Sequence, residues 1–462
     1  MSPSPARVFA ALNAVRPPDE ASPVIGKAVV VGGSVAGMLA ARVLSDHAES
    51  VVVIDRDDLH QPGGRPGVPQ GTQLHALLPG GFLQLEQLFP GFRERALARG
   101  AVEAPPAVRR NYLDGRLKVV VPDDADSLAG SRPLLESLIR EQVLRLPNVK
   151  TITARATGLV FDGAVTTGVR CDVGGAAGIE SADLVVDAMG RSSRLSDWLA
   201  ESGWERPALR RMTVHLNYAT ALFRRHEEHP EHPVVLALNS PRGSSDVAGA
   251  AFFAIEDGRW MAMMAGYADS RPGGTAEDFV RRLREQFPPE FAALADRELL
   301  GDVQTYRHAD SRRRDFHALT RLPAGLVSVG DAVASFNPVY GQGITAAALH
   351  AACLSSYLRP GPDLGVPARQ FFALQKVVVD AAWSMSTSAD LALPHVEGPY
   401  PRGYRLSSWL SRQIVTATVT DVATARRFNE VVSMREHPQS LVSPRVILGA
   451  LRANRRARRS AR

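Results

Sequence analysis

The chain has 462 residues, 45% of them hydrophobic and 22% charged, which is too long for one simple core and suggests roughly two or three domains at about 100–200 residues each. The formal net charge of +6 does not signal a nucleic-acid partner. Residues 452–462 hold six arginines and no acid, and without them 48 basic residues face 48 acidic ones, so the body is neutral and the excess belongs to a solvated, frayed tail. The two cysteines, Cys171 and Cys353, lie far apart without metal-ligand spacing, which argues against a disulfide framework and against a metal site.

Residues 1–23, rich in Pro and Ala and without a continuous apolar stretch, read as a mobile N-terminal arm rather than a secretory signal. The apolar run 27–31 has the composition of a buried parallel strand. A turn follows at Gly32–Gly37, then helical spacing over 35–45 and a second strand at 51–54. A loop dense in Gly and Pro spans 60–70, and helical spacing resumes over 74–88. Asp114-Gly115 marks a hairpin within 112–121. A helix is expected over 132–146, with Ser131 as its cap and Pro133 in its first turn. Short strands follow over 149–169, a buried strand at 182–186, antiparallel strands at 213–223 and 247–267, and a further buried strand at 326–329. From 366 onward the pattern is mainly helical. The stretch 332–358 lacks Asp, Glu, Lys and Arg, but Asn337-Pro338, Gly341-Gln342-Gly343 and His350 interrupt it, so a membrane span is rejected and a cytoplasmic enzyme is expected.

Two segments carry the chemistry. The first is Val29-Val30-Val31-Gly32-Gly33-Ser34-Val35-Ala36-Gly37, with Asp55 closing the next strand. A pyrophosphate needs a helix N-terminus with open N–H groups, glycines that let the backbone approach, and an acid about twenty residues on for a ribose. The third glycine of that fingerprint is Ser34 here, a small residue that leaves room for the same approach. In the second segment an apolar strand ends in Gly330-Asp331, and the loop Phe336-Asn337-Pro338-Val339-Tyr340-Gly341 opens a helix at Gln342-Gly343-Ile344. Asp331 can bind a polyol chain, and the helix start can present N–H groups to a carbonyl.

With Asp183-Leu-Val-Val-Asp187-Ala-Met-Gly190-Arg191 between them, these segments resemble the FAD monooxygenases of the para-hydroxybenzoate hydroxylase type. Within that group they are most similar to squalene epoxidase and the bacterial polyether (monensin, lasalocid type) polyene epoxidases. Arg65-Pro-Gly-Val-Pro-Gln-Gly-Thr-Gln-Leu-His75 and Asp310-Ser-Arg-Arg-Arg314 share that likeness, which covers roughly residues 27–357. The resemblance implies an α/β fold: an FAD-binding Rossmann-like domain of the glutathione reductase type from residues 24–104, 128–205 and 300–360, a β-sheet substrate domain from 105–127 and 206–299, and a C-terminal helical region over 361–462. It places Gly32, Gly33, Ser34 and Gly37 around the pyrophosphate and Asp55 on the adenosine ribose. Arg65 and Arg132 would reach the FAD phosphates or ribityl region, Asp331 the ribityl chain, and Gly343 and Ile344 the isoalloxazine edge. Ala36, Arg56, Pro338 and Gly341 complete the expected cofactor site.

The activity implied is epoxidation of an alkene in a long apolar polyketide or terpenoid precursor, through a flavin C4a-hydroperoxide formed with O₂ and with no catalytic side chain required. Electrons would come from NAD(P)H or a separate flavin reductase. Asp187 is followed by Ala188 where the family has glycine, which weakens the case for direct pyridine-nucleotide contact. Tyr218, Phe252, Met261 and Met263 are the expected substrate wall, although a plain core strand explains the same residues. The alternatives are aromatic hydroxylation on the same fold, a reductase of the geranylgeranyl type, and a non-enzymatic flavin-binding sensor or scaffold.

Overall fold

A computed structural model describes residues 3–61, 65, 69–240 and 247–460. The tripeptides flanking Arg65 in the Gly/Pro-dense loop lie outside the described residues. The apolar runs read as buried strands form one five-stranded parallel sheet in the order Leu326–Ser328, Leu184–Asp187, Ile25–Val31, Ala48–Asp55, Val149–Thr153. Val29 and Val30 face Val185 and Val186 on one side and Val52 and Val53 on the other. The sheet is covered on both faces, which is why its strands are continuously apolar rather than alternating. Helices Val35–Leu44, Arg132–Leu144 and Gln342–Leu358 pack on one face, and a three-stranded antiparallel sheet, Arg155–Asp162, Val165–Val173 and Ala176–Ser181, covers the other.

A second, eight-stranded sheet runs Ala334–Ser335, Leu299–Arg314, Leu209–Arg224, Arg259–Tyr267, Val247–Ile255, Val234–Leu238, Arg109–Leu113, Arg116–Leu117. Its hairpins turn where expected: Asp114-Gly115 and Asp257-Gly258 both have two successive positive φ angles, the turn geometry that matches strand twist. Helices Ala276–Gln286 and Pro289–Ala295 close one face. The other face looks toward the parallel-sheet domain and the chain's C-terminal half.

Four expectations shift. The strand Leu299–Arg314 belongs to the large sheet, so residues 300–314 are wall rather than cofactor domain. The expected helix over 74–88 begins only at Pro79, because the residue before a proline is pushed out of the α region; Leu78 is extended, with φ −62° and ψ 149°. The N-terminal arm contains a helix, Pro5–Asn13, capped by Ser4, whose Oγ accepts from the Arg7 amide. Phe9 and Leu12, three residues apart, are each 1% exposed in the main core. The basic tail is also helical, Pro444–Ser460, with Ala450 buried and Asn454 donating to the Gln413 carbonyl at 2.9 Å. In both segments a sparse apolar stripe is enough to dock a helix whose other face is polar.

If the first helix is part of the fold, Phe9→Ala leaves a cavity and is expected to cost about 3–5 kcal/mol, measured by equilibrium urea unfolding; a loss near zero would return residues 5–13 to a free arm.

Candidate active site

The phosphate turn is built by close approach. A Cβ on Gly37 would fall 1.7 Å from the Gly32 carbonyl oxygen, and Gly32 itself has φ +108°. Ser34 stands at the N-cap of the helix Val35–Leu44 with ordinary φ −84°, so the turn does not require a third glycine there. Its side chain makes no capping bond, and the first turn holds no acid. The helix therefore presents free N–H groups and the positive end of its dipole, the requirement for an anion site.

Asp55 closes the turn: Oδ2 accepts from the Gly33 amide at 2.5 Å and Oδ1 from the Asp57 amide at 2.9 Å. Arg65 lies across this carboxylate, with Nη2 2.7 Å from Asp55 Oδ1 and Nη1 donating to the Gly33 carbonyl at 2.8 Å and to Glu136 at 3.0 Å. Burial opposes its charge, but Asp55, Glu136 and Asp57 outweigh burial and hold its pKa above the usual value. Arg65 thus stands at Asp55, beside the Gly32–Gly37 turn, and Arg56 is exposed next to Asp55.

The second segment meets the first through Gly330. A Cβ there would lie 2.5 Å from the Ala36 Cβ, so the end of the strand Leu326–Ser328 touches the first turn of the phosphate helix. The Gly330 amide donates to His350 Nδ1 at 2.9 Å. Asp331 follows, without a hydrogen-bond partner among the described residues. Burial pushes its pKa up, while Arg132 and Arg191 pull it down. Asp187, the acid of the middle motif, is the opposite case. It is 2% exposed and accepts from the Met189 amide at 3.0 Å, Ser193 Oγ at 2.7 Å and Ser328 Oγ at 2.9 Å. It ties strand ends together, which leaves Asp331 as the acid free for a ligand.

Arg132 opens its helix beside this acid. Its Nη1 lies 3.0 Å from His75 Nε2, and His75 Nδ1 lies 2.8 Å from the Gln73 carbonyl. The carbonyl can only accept, so Nδ1 carries the proton and Nε2 accepts from the guanidinium. Burial, then Arg132, lower the His75 pKa to about 3; the ring is neutral and fixed.

The front loop is set by Asn337, whose Oδ1 accepts from the Val339 amide at 3.1 Å and caps the short turn Pro338–Tyr340. Gly341, at φ +66°, then launches the helix Gln342–Leu358. Pro338 and Gly343 are exposed and Ile344 is 8% exposed. A Cβ on Gly343 would meet nothing within 4 Å, so neither backbone nor neighbours require glycine, although glycine costs a helix about 1 kcal/mol relative to alanine. An open anion-binding helix start, an acid without a partner and a glycine cradle that a side chain would fill are the features that a pyrophosphate, a polyol chain and a flat ring edge demand. The residues present fit an FAD.

Opposite this loop stands one face of the large sheet. Leu222, Met261 and Phe253 are cross-strand neighbours, as are Thr220, Met263 and Ala251, with Tyr218 beside Ala265. Thr220 donates to Gln73 Oε1 at 2.7 Å, and Leu74 and Ala76 pack against Phe253 and Met261. Tyr218, Met261 and Met263 therefore share the face expected of them. Phe252 does not: its ring meets Trp260 at 5.3 Å and Phe291 at 5.0 Å beneath the covering helices. Phe253 takes the wall position. Alternation separates the two rings but, with both faces buried, cannot say which one faces a pocket.

Sequence reasoning missed the acid at the front of the site. Asp390, at the end of the helix Arg369–Asp390, is fully buried. Its Oδ1 accepts from Asn337 Nδ2 at 2.7 Å and from Tyr340 at 2.9 Å, and Ser386 lies 3.4 Å from Oδ2. Asn337 also donates to the Tyr267 hydroxyl at 3.1 Å. Burial raises the Asp390 pKa to about 6, against the lowering effect of these hydrogen bonds. The available signal was local: a lone acid closing the run Ser384-Met-Ser-Thr-Ser-Ala-Asp390, with Ser386 one turn before it.

No family model matches the chain. Protein Rv3254 of Mycobacterium tuberculosis (strain ATCC 25618 / H37Rv) is 33% identical over 447 residues, covering 92% of this chain and 94% of that protein. A flavoprotein/dehydrogenase from Cytophaga hutchinsonii superposes with a TM-score of 0.66 at 14% identity, over 93% of this chain and 98% of its own. The p-nitrophenol 4-monooxygenase PnpA from Pseudomonas putida DLL-E4 gives 0.63 at 17% identity, over 89% and 98%. The fold is that of the FAD-binding flavoprotein monooxygenases. Among the described residues no helix is long and apolar enough to cross a membrane.

Two outcomes follow from the acids. Titrating FAD into apoprotein should show Asp331→Ala weakening binding by about 1.5–3 kcal/mol, the worth of a charge-assisted hydrogen bond, while Asp187→Ala chiefly lowers the melting temperature; equal FAD affinities would show that Asp331 makes no ligand contact. For Asp390 the folded pKa lies above the unfolded value of 3.8. Its contribution to stability is full below the unfolded value and is lost as pH rises through about 6. Asp390→Asn should therefore raise the melting temperature at about pH 8, with a gain of roughly 1–3 kcal/mol, and change it little at about pH 4. A gain of the same size at both values would contradict the raised pKa.

Proposed function

The chain belongs to the family of the Mycobacterium tuberculosis protein Rv3254, and on that premise we propose that it is an FAD-dependent monooxygenase that epoxidises an alkene of a long, mostly apolar polyketide or terpenoid precursor. The observation that supports this reading is an apolar sheet face, Leu222, Phe253, Met261 and Met263, of which Met263 packs in one cluster with Val339 of the loop 337–344. Bound FAD, reduced by NAD(P)H or a separate flavin reductase, supplies the oxygen-activating chemistry.

The chain's own residues supply position and dryness. Gly32, Gly33, Ser34 and Gly37 hold the pyrophosphate at the helix start. Asp55, closed over by Arg65, holds the ribose. Asp331, flanked by Arg132, holds the polyol chain, and Gly343 and Ile344 face the ring edge. Neutral His75 donates to the Gln73 carbonyl while accepting from Arg132, and so sets the loop that meets the wall. Burying an apolar chain along that wall gains about 25 cal/mol per Å². A carboxylated aromatic placed there would bury a charge without a partner. Exclusion of water by the same side chains would keep the oxygen-activating chemistry of a bound FAD dry.

Aromatic hydroxylation is the second reading, favoured by the cluster of tyrosines beside Asp390. A panel of polyenyl polyketides, terpenes and hydroxybenzoates, supplied with FAD, reductant and O₂, decides between them. Epoxide formation, seen as the gain of one oxygen atom by mass with little H₂O₂, is expected for the polyenes. Tight coupling on hydroxybenzoates with only peroxide from polyenes would replace epoxidation by hydroxylation.

A further inference from the structure

The apolar wall ends in a polar corner that the reading above leaves unused. Tyr218 is 4% exposed and packs among Met212, Val214, Leu216 and Ala265. Its hydroxyl has no hydrogen-bond partner among the described residues and is not sealed from solvent, so a ligand hydroxyl can reach it. Tyr267 packs in the same cluster, and the fully buried Asp390 lies close enough to act on Tyr218 electrostatically. The Tyr267 oxygen accepts from Asn337, and its hydroxyl also meets that of Tyr340. Asp390 Oδ1 holds two short hydrogen bonds, whereas Oδ2 has only the long one from Ser386. The corner therefore combines a hydroxyl able to donate or accept with a carboxylate whose field repels anions, at the end of a wall that takes hydrocarbon.

We propose that this corner is a substrate subsite for a neutral hydroxyl group, phenolic, enolic or alcoholic, which exchanges hydrogen bonds with Tyr218 and is oriented by the Tyr267–Asn337–Asp390 network. A hydroxyl both donates and accepts, and so satisfies Tyr218 without bringing charge to Asp390. An ether cannot donate, a hydrocarbon leaves Tyr218 unpaired, and a carboxylate meets Asp390 at close range. The subsite thus selects an apolar molecule with a hydroxyl at one end, and fixes which carbon of that molecule faces the loop 337–344. The inference rests on the monooxygenase reading only for where the ligand lies; the binding chemistry is a property of the corner itself.

The test is equilibrium dialysis of FAD-loaded protein against 2-naphthol, 2-methoxynaphthalene and 2-naphthoate, with no turnover required. 2-Naphthol is expected to bind about tenfold more tightly than either of the others, the equivalent of one buried hydrogen bond. Tyr218→Phe should bring the naphthol-to-ether ratio below about threefold, with ether affinity and FAD content unchanged, whereas Thr220→Val, two residues along the same face, should leave the ratio intact. Equal binding of naphthol and ether by the wild type, a ratio that survives in Tyr218→Phe, or naphthoate as the preferred probe would each overturn the proposal. Should Tyr218→Phe fail to fold, Tyr267→Phe is read in the same way, and the wild-type ratio decides on its own. Failure of polyenes to gain oxygen would leave this ratio untouched, and a flat ratio would leave oxygen insertion untouched, so the two readings fail separately.

Discussion

The contact of Gly330 with Ala36 is the constraint on which the site depends. Almost three hundred residues separate the two positions, yet no side chain fits between them. The parallel sheet makes this possible, because Leu184–Asp187 lies between the strands that carry them and holds both in register. Strands that run parallel bring their C-terminal ends to one edge, and the loops leaving that edge share a crevice. The anion-binding helix start and the acid Asp331 become neighbours only because Gly330 turns the chain directly over the first helical turn.

Hydrogen-bond saturation separates structural from functional acids here better than motif position does. Asp187 and Asp331 both follow a buried parallel strand, and each could be read as a ligand acid. Asp187 has three donors within 3.0 Å and serves the fold. Asp390 is held at a stability cost through its raised pKa, although a neutral side chain of the same shape could meet the same donors. Buried carboxylates kept under such conditions cluster where ligands bind.

The strands of the parallel sheet, the capped helix after Ser131, the Asp114-Gly115 hairpin and the tight Gly32–Gly37 turn were legible because each rests on local chemistry: apolar runs, a cap, a turn residue, glycine where backbone meets backbone. What was not legible rests on long-range contact. Helix Pro5–Asn13 docks through only Phe9 and Leu12 fully buried, with Val8 beside them, and its proline and alanine content masked a cap that Ser4 provides. Phe252 and Phe253 are chemically identical, and only the helices covering one face decide which is wall. Asp390 acts fifty residues from Asn337 and Tyr340, and no local spacing announces that meeting. Arg65 was expected at the phosphates or the ribityl region, and the carboxylates of Asp55, Asp57 and Glu136 draw it to the acid that closes the glycine turn.

The two sheets are not separate bodies that happen to touch. The loop leaving Asp331 pairs as the short strand Ala334–Ser335 with Arg312 and Arg313, so it is itself the edge of the eight-stranded sheet. Arg314 bonds the Val333 carbonyl through its amide at 2.8 Å and the Ala332 carbonyl through its guanidinium at 2.8 Å. Arg191, from the loop after the middle motif, reaches Ser335 at 3.2 Å and pairs with Asp310 on the long strand. These bonds run crosswise through the junction, so the large sheet cannot rotate away from Asp331 without breaking a sheet edge and a half-buried ion pair together. Strand register, rather than a hinge, sets the distance between this face of the large sheet and the loop after Asp331.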